Sequence, residues 1–568
     1  MLDVFILAQA ELQPRFQPGP ARLPQQTPIT RPDQPSQKGD VLESEEPNPE
    51  ENDTRKETIQ SDQKLLRYQQ QSIQINGNTV YSIDAIQAII QECKQSTKGL
   101  TPDNWAALCI TLRYQQDGYI NTRVYSRNNE QAKELDIVEG RLVELRVNGD
   151  DERLNQITTR KLEPLKNTVL NANEVQRALQ LMQQLPGLSS IKGRLGRLGS
   201  DASQSSLIVK VDPKPGAFKG SINYDNYGKI SAGENRTQAV LSKQSAFTTG
   251  DQWFLFSEKS WTGLPQTGSN TYSASYTNPI SPTINATLSL GFSKSKPVEF
   301  EGLARDFRTN QYQITGLISK QLIDHYNQTL SIFGQYSYSR SNLYLSGQEL
   351  PDVVPSLIRK PQSGYLKVGL NGTRINRRSI QSARIAFTQA SAWSTPGDQI
   401  DALEQLDISP DRSRAIGGGL TSLFLLDHGI RIQTGIAAQK SLGRLVNSMR
   451  FQVGADSGLV GLPSSALGGE DGIQLTADAY IPITRLKGWQ LAFKPLIGYA
   501  ALASKTSSGT SRSSATVYGA LLSASNPSRT ISIDAGITGN ILSNDQLDDA
   551  WSDWNLAQGL LLRTSIGF

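Results

Sequence analysis

The feature that most constrains this chain is a series of β-like segments that fills its C-terminal part, from Gly220 to Phe568. We count about sixteen segments, or about 22 residues per segment with its connection, which suits membrane-spanning strands of roughly 9–11 residues plus loops. The segments begin near residues 220, 236, 252, 268, 284, 308, 328, 364, 380, 413, 430, 473, 488, 514, 530 and 558. They predict a sixteen-stranded antiparallel transmembrane β-barrel over residues 215–568.

The connections between these segments alternate in length. Short turns such as Thr248–Asp251 and Asp427–Gly429 alternate with longer polar connections such as 339–363 and 391–412. Bacterial outer-membrane barrels have short periplasmic turns and long external loops. The last segment supports the same interpretation, because a mostly apolar row alternates with small or polar residues. The mostly apolar row is Leu560, Leu562, Thr564, Ile566 and Phe568. Together these patterns favour a barrel over a soluble β-sandwich.

Composition excludes several other classes of protein. No stretch approaches the ~20 apolar residues of a membrane-spanning helix. The chain has only two histidines and two cysteines, so a His-rich or Cys-rich metal site is excluded. The net charge of +4 is spread without a basic block, which argues against a nucleic-acid partner. Two Asp-His pairs, Asp324-His325 and Asp427-His428, lie at expected tight turns, where Asp is favoured locally. We therefore expect no enzyme activity and no cofactor.

The N-terminal part divides into four segments. Residues 1–10 end in an Ala-x-Ala pattern without a basic region, which predicts either a truncated signal peptide or an ordinary disordered terminus. Residues 11–64 are rich in proline and predict a disordered linker. Residues 65–149 and 150–214 each show a β-α-α-β-β order, more faintly in the second segment. They predict two small α+β domains.

Several phrases resemble the paired POTRA domains and the barrel entry of two-partner secretion transporters of the haemolysin-activator type. These phrases are Gly118-Tyr119-Ile120, Leu135–Gly140, Leu185-Pro186-Gly187 with Leu207-Ile208-Val209, and Asp225-Asn226-Tyr227-Gly228. The resemblance implies a first POTRA domain at 65–149, a second at 150–214, and an outer-membrane barrel whose POTRA domains face the periplasm. In that family, Asp225 to Gly228 would mark the entry into the first barrel strand.

The resemblance also implies a function, which is export of a large, secreted β-rich partner protein. Further expected partners are outer-membrane lipid and the barrel assembly machinery, because Phe568 resembles the terminal assembly signal of outer-membrane proteins. A monomer is expected. The alternatives are an assembly factor for other barrels, a passive porin, and a surface structural or adhesion protein.

The region from Phe451 to Gly472 falls where the family carries a long, inward-folded loop. The family presents Val-Arg-Gly-Tyr or Val-Arg-Gly-Phe there, and its arginine reaches an aspartate on the barrel wall. Here the matching positions lack the arginine and the aromatic residue, and Leu496 or Ile497 stands where the aspartate is expected. We expect apolar packing to hold the loop without a salt bridge; the alternative is a Gly-rich surface loop. The candidate loop residues are Gly454, Ser457, Val460, Gly461 and Leu462.

The two cysteines, Cys93 and Cys109, fall at the end of the first expected helix and within the second. In an oxidising periplasm they could form a disulfide worth about 3 kcal/mol through restriction of the unfolded chain. The alternative is a pair of buried thiols.

Overall fold

A computed structural model describes most of the chain after residue 63. The described residues are 42–44 and 64–568, apart from 69–70, 93–100, 130–131, 184–187, 199–200, 202, 214–215, 217, 231, 249, 263–266, 299–305, 507–508, 527, 529 and 544–550. The expected signal peptide, nearly all of the expected linker, Cys93 and the Leu185-Pro186-Gly187 phrase lie outside them.

The first module is a four-stranded sheet with two helices. The sheet order is β2-β3-β5-β4, in which β3 and β5 are parallel and β4 is antiparallel to β5. The helix α2 begins where the Thr101 side chain accepts a hydrogen bond from the Asn104 N–H and Pro102 occupies the first turn. The elements are β2 (Lys64–Tyr68), β3 (Gln71–Asn76), α1 (Ile83–Glu92), α2 (Pro102–Gln116), β4 (Arg123–Asn129) and β5 (Ala132–Val138).

The second module repeats this plan, and the Asp151 and Asn171 side chains cap its two helices. Its sheet order is β1-β7-β8-β6. Its elements are β1 (Leu42–Ser44), β6 (Arg141–Asn148), α3 (Glu152–Leu162), α4 (Ala172–Met182), β7 (Leu188–Arg197) and β8 (Gln204–Pro213). The expected boundary between residues 149 and 150 is wrong, because β6 pairs with β8 of the second sheet. The chain passes between modules at Glu139–Gly140, which interrupts what the sequence suggests is one strand.

Residues 218–568 form a closed barrel, which confirms the expected sixteen antiparallel strands. Each strand begins within a few residues of its predicted start. The strands are β9 (Phe218–Asp225), β10 (Asn235–Gln244), β11 (Gln252–Trp261), β12 (Thr267–Pro279), β13 (Ile284–Ser295), β14 (Phe307–Asp324), β15 (Gln328–Leu345), β17 (Gln362–Ile375), β18 (Ser379–Ala390), β19 (Arg414–Leu425), β20 (Arg431–Ser441), β23 (Asp471–Leu486), β24 (Trp489–Thr506), β25 (Gly509–Ser525), β26 (Ile531–Leu542) and β27 (Leu560–Gly567).

Shorter elements lie in the barrel's connections. They are β16 (Gln348–Glu349), which pairs antiparallel with the end of β15, the helices α5 (Ser356–Arg359) and α6 (Gly397–Gln405), and the strands β21 (Phe451–Val453) and β22 (Leu467–Gly469). No helix in the described part of the chain is long and apolar enough to cross a membrane.

The barrel strands have an exposed apolar face and a buried, mostly small or polar face. In β27, Leu560, Leu562 and Ile566 are exposed, whereas Leu561 is buried. In β14, the buried row is polar after Phe307: Thr309, Gln311, Gln313 and Thr315. The apolar row therefore faces lipid and the polar row faces the lumen. Phe568 lies on the outward side, where its ring covers Gly220 of β9 so closely that a Cβ there would lie 2.3 Å from it.

Candidate functional site in the barrel lumen

A loop of residues 442–470 connects β20 and β23 and packs against the inward row of the barrel wall. Within it, β21 and β22 pair as a short antiparallel hairpin. Its apolar side chains join one buried cluster with inward residues of β24, β25 and β27, among them Ala500, Val517 and Leu561. Because these wall residues belong to the face opposite the lipid, the loop occupies the lumen. We call this segment the inward loop.

The apolar side chains of the inward loop make close contact with the wall. Leu459 and Leu462 are 0% exposed in the buried cluster, and Val460 packs against the same cluster. On β24, Leu496 also packs there, and Gly498 leaves the space that Leu459 fills, since a Cβ at residue 498 would lie 2.4 Å from Leu459 Cδ2. The structure thus places Leu496, Val460 and Leu462 in one cluster.

Ile497, the other candidate wall partner, does not contribute to this cluster. Its side chain is 58% exposed on the outward face of β24. Since successive residues of a strand point to opposite faces, Leu496 and Ile497 cannot both face the loop. The candidate role of Ile497 as a wall partner is therefore wrong.

The glycine and serine positions of the inward loop shape its backbone. The Ser457 Oγ accepts a hydrogen bond from the Gly454 N–H at 3.0 Å, and the Ser457 carbonyl accepts one from Gln474 Nε2 of β23 at 2.6 Å. Gly461 has φ +135°, and a Cβ there would lie 2.6 Å from Val517 Cγ1. Glycine is required at residue 461 for both its conformation and its close approach to β25.

A buried arginine of the wall also holds the inward loop. Arg236 of β10 is 2% exposed, and its Nη1 donates to Asp456 Oδ1 of the loop at 2.7 Å. Its Nε and Nη2 donate to the carboxylate of Asp225 at 3.0 and 3.1 Å. Glu258 of β11 lies 3.7 Å from Nη1, and Lys229 lies 3.5 Å from Glu258. Three carboxylates thus surround one guanidinium and one ammonium group.

This cluster corrects the expectation that the loop is held without a salt bridge. Val460 and Leu496, at positions where the resemblance expects the loop arginine and the wall aspartate, pack in one apolar cluster. An ion pair nevertheless joins the loop to the wall, and its charges are placed the opposite way from those of the pair that the resemblance implies. The wall carries the cation, Arg236, and the loop carries the anion, Asp456. A buried guanidinium needs such partners, because an unpaired buried charge is strongly destabilising.

Residues Asp225 to Gly228 connect the inward loop to the first and the last strand of the barrel. Ser464 of the loop donates from its Oγ to the Tyr227 carbonyl and from its N–H to the Gly228 carbonyl, both at 2.8 Å. Asn226 donates from Nδ2 to the Leu560 carbonyl at 2.8 Å and accepts from the Leu562 N–H at 2.9 Å.

These contacts correct the position expected for Asp225, Asn226, Tyr227 and Gly228. The four residues lie at the end of the first strand rather than at its entry, because β9 runs from Phe218 to Asp225. Their shared role is to join the first strand, the closing strand and the inward loop.

The base of the inward loop is fixed by a second set of polar contacts. Glu470 accepts hydrogen bonds from the Leu445 N–H at 3.0 Å and the Lys505 N–H at 3.1 Å. Arg450 donates to Ser504 Oγ at 2.5 Å. Both ends of the loop are therefore attached to the wall, and the Arg236 cluster fixes its middle.

The sequence reasoning missed Arg236, Glu258, Asp456 and Ser464. A usable signal exists for one contact: in the β9–β10 hairpin, Arg236 lies directly opposite Asp225, so both side chains face the lumen. Glu258 lies on the neighbouring strand β11, whereas the contacts of Asp456 and Ser464 join residues more than two hundred positions apart and have no local pattern.

Outside the barrel lumen, the remaining candidates are placed as follows. Cys109 is buried and disulfide-bonded, while Cys93, the only other cysteine of the chain, lies outside the described residues. His428 has φ +60° in the tight turn Asp427–Gly429, as a turn residue does. Within the described residues, no group of three or more His, Cys, Asp or Glu side chains is arranged to hold a metal ion.

Comparison with known proteins gives consistent matches. A family model described as haemolysin secretion/activation protein ShlB/FhaC/HecB matches residues 203–499. The outer membrane transporter CdiB of Dickeya dadantii (strain 3937) is 23% identical over 372 residues, which cover 63% of this chain and 62% of that protein. The alignment thus spans about three fifths of that relative's length.

Two solved structures share the fold. CdiB from Escherichia coli has a TM-score of 0.56 at 17% identity, covering 87% of this chain and 90% of that one. CdiB from Acinetobacter baumannii has a TM-score of 0.52 at 13% identity, covering 90% and 91%.

Proposed function

The chain belongs to the haemolysin secretion/activation family ShlB/FhaC/HecB, and from that premise we propose that it exports a large, β-rich partner protein across the bacterial outer membrane. The barrel spans the membrane as a monomer, inserted by the barrel assembly machinery, and the two α+β modules act in the periplasm as POTRA domains. No nucleic acid, cofactor or catalytic step takes part.

The observation that carries this proposal is the inward loop, which occupies the lumen and is held by separable contacts. A passive porin needs an open lumen at all times. Here the middle of the loop is attached through one ion pair, Arg236 to Asp456, one apolar cluster around Leu462, and the hydrogen bonds of Ser464 to the segment that follows the first strand. Such contacts can be broken together without unfolding the wall. This arrangement suits a channel that opens for a particular substrate.

The lumen wall suits the passage of an extended chain. Thr309, Gln311 and Gln313 of β14 point inward, and their side-chain oxygens accept no hydrogen bond from the described part of the chain. An extended polypeptide carries unpaired N–H and C=O groups along its whole length. A polar lumen can solvate these groups or bond to them, and folding of the exported protein outside gives the movement its direction.

The modules are the proposed site of substrate capture. In each module a sheet ends in an edge strand, and an extended segment can add to such an edge by main-chain hydrogen bonds. Deletion of about residues 70–212 tests this role. We expect an inserted, heat-modifiable barrel that no longer exports a co-expressed β-rich partner protein. The full-length chain is the control, and undiminished export after the deletion would refute capture by the modules.

A further inference from the structure

Two positively charged side chains face the lumen on neighbouring strands, Lys367 on β17 and Arg384 on β18. The residues that flank them along the strands are apolar and exposed on the lipid face: Leu366, Val368 and Ile385. Because successive residues of a strand point to opposite faces, Lys367 and Arg384 point inward. Arg384 pairs with Asn371, four positions after Lys367 on β17. The two cations therefore lie on one inward surface, at different levels of the wall.

Each of these cations lies against an aromatic ring. The Arg384 Cζ is 4.2 Å from the centroid of the Phe333 ring, and the Lys367 Nζ is 5.5 Å from the centroid of the Tyr365 ring. The Phe333 ring extends over Gly369 of β17, where a Cβ would lie 2.8 Å from Phe333 Cζ. An aromatic face attracts and positions a cation without neutralising its charge. Both positive charges therefore stay available to a ligand.

The two cations lack a carboxylate partner on the wall. Lys494 of β24, which also points inward, lies 2.9 Å from the Asp534 carboxylate. Among the residues that the structure describes, no carboxylate is ion-paired with Lys367 or Arg384. Their register partners on the adjacent strands are all uncharged: Gln335, Thr388, Asn371 and Gly419. A surface with charges of one sign raises the local concentration of ions of the opposite sign. This part of the lumen therefore attracts anionic groups.

We infer that Lys367 and Arg384 form a binding site for carboxylate side chains of the exported protein as it passes through the lumen. The inference rests on the proposed export function and adds a place in the lumen and the charge of the segments that bind there. In an extended chain, side chains two or four positions apart lie on one side, about 7 or 14 Å from each other. A segment with acidic residues at such spacing can contact both cations at once, and we expect it to bind more tightly than a single carboxylate.

The exposure of the two side chains suits transient binding. Both Lys367 and Arg384 are half-buried, so water reaches them. Ion pairs between partly exposed charges are weak. A site within a conducting path has to bind its substrate well enough for entry and weakly enough for exit. The pair can therefore hold an acidic segment briefly without stopping the movement of the chain.

Binding of a synthetic peptide to the purified full-length chain in detergent micelles tests this site. The fluorescent probe alternates glutamate with serine, so its carboxylates lie on one side when it is extended. Every protein in the comparison carries Asp456→Ala, which removes the ion pair between the inward loop and the wall. We expect Lys367→Gln with Arg384→Gln to weaken binding at least about fivefold, because two ion pairs of partly exposed groups are lost.

The matched control for this experiment is Arg308→Gln, which removes an exposed cation from the outward row of β14. It should bind the peptide as tightly as the Asp456→Ala chain does. Equal affinity of the control and the paired glutamine variant would overturn the inference. So would an Asp456→Ala chain that does not bind the peptide at all.

A comparison of ligands identifies what the site recognises. Free glutamate at the same carboxylate concentration, and a peptide with a single glutamate, should each compete clearly less well than the alternating peptide. A peptide with lysine in place of glutamate should not bind. Equal competition by free glutamate would indicate a site for small anions and refute a site for the exported chain. Binding of the lysine peptide would refute recognition by charge.

Two further measurements separate ligand binding from a structural role. Lys367→Arg with Arg384→Lys keeps both charges and should retain peptide binding. The paired glutamine variant should keep the wild-type temperature of the heat-modifiable transition, because it leaves no carboxylate without a partner. A lowered transition temperature, together with loss of binding in the charge-conserving pair, would assign the two residues a structural role instead.

Export of a co-expressed β-rich partner protein in cells is a separate readout. Lys367→Glu with Arg384→Glu should slow export, because the reversed charges repel acidic segments, and Arg308→Glu should not. If wild type exports nothing, the proposed function fails whatever the peptide does. If wild type exports its partner while the peptide results fail, only this inference is lost.

Discussion

Replacing Asp456 by alanine should release the inward loop while leaving the barrel folded. In the wild-type cluster, the carboxylates of Asp225, Glu258 and Asp456 face the cations of Arg236 and Lys229. The substitution removes one of the three carboxylates and leaves Arg236 hydrogen-bonded to Asp225 through Nε and Nη2. The guanidinium of Arg236 therefore keeps its hydrogen bonds within the wall, and the substitution weakens the contact between the loop and the wall.

The expected size of the effect follows from that contact. A hydrogen bond to a charged group contributes about 1.5–3 kcal/mol. Its loss shifts the equilibrium between docked and released loop by about 10- to 150-fold, since about 1.4 kcal/mol corresponds to tenfold. Arg236→Met has a different effect, because it leaves buried carboxylates without their cation and should destabilise the barrel by about 3–5 kcal/mol.

Single-channel conductance in planar bilayers measures the released state, and the temperature of the heat-modifiable transition on gels measures barrel stability. Asp456→Ala should raise the open fraction by at least tenfold with little change in the transition temperature. Arg236→Met should lower that temperature. Asp401→Ala, an exposed carboxylate on α6, is the control for a change of charge alone. If Asp456→Ala leaves conductance at the wild-type level, the ion pair does not hold the loop.

Three further predictions concern other contacts. Gly461→Ala should raise the open fraction, because it adds both a strained φ and a clash with Val517; Gly509→Ala, at a similar φ with open space, is the control, and equal conductance of the two variants would contradict the clash. Asn226→Leu should lower the heat-modifiable transition by removing two hydrogen bonds to the closing strand, about 1–3 kcal/mol together. We propose that Cys109 pairs with Cys93, so that reduction lowers the free energy of unfolding of the first module by about 3 kcal/mol; mapping under non-reducing conditions that finds Cys93 free would exclude the pair.

The barrel was predictable because its signals are local. A strand alternates over ten residues, a turn needs a few residues of known type, and β27 shows both its faces within eight positions. The boundary between the modules was not predictable, because residues 134–147 contain two strand-like runs with only Glu139 and Gly140 between them. Which sheet receives Arg141–Asn148 is decided by pairing with β8, more than fifty residues later in the chain.

The contacts of the inward loop are also only partly predictable from local sequence patterns. The sequence identifies the position of the inward loop and the loss of its arginine at Val460, because both lie within one stretch of residues. It does not reveal that Asp456 meets Arg236, since that contact depends on how far the loop enters the barrel and which strands it faces. Electrostatics requires only that a buried cation and anion meet. It does not prescribe which of the two belongs to the loop.

One consequence of this arrangement is a physical link between the loop and the closure of the barrel. Arg236 binds Asp456 of the loop and Asp225 of the first strand, and the next residue, Asn226, bonds to the closing strand. The ladder between β9 and β27 has five register pairs, fewer than the eight between β9 and β10. Residues in one hydrogen-bond network couple energetically. Release of the loop therefore removes one partner of Arg236 beside this ladder, while the contacts of Asp225 with Arg236 and of Asn226 with the closing strand stay in place.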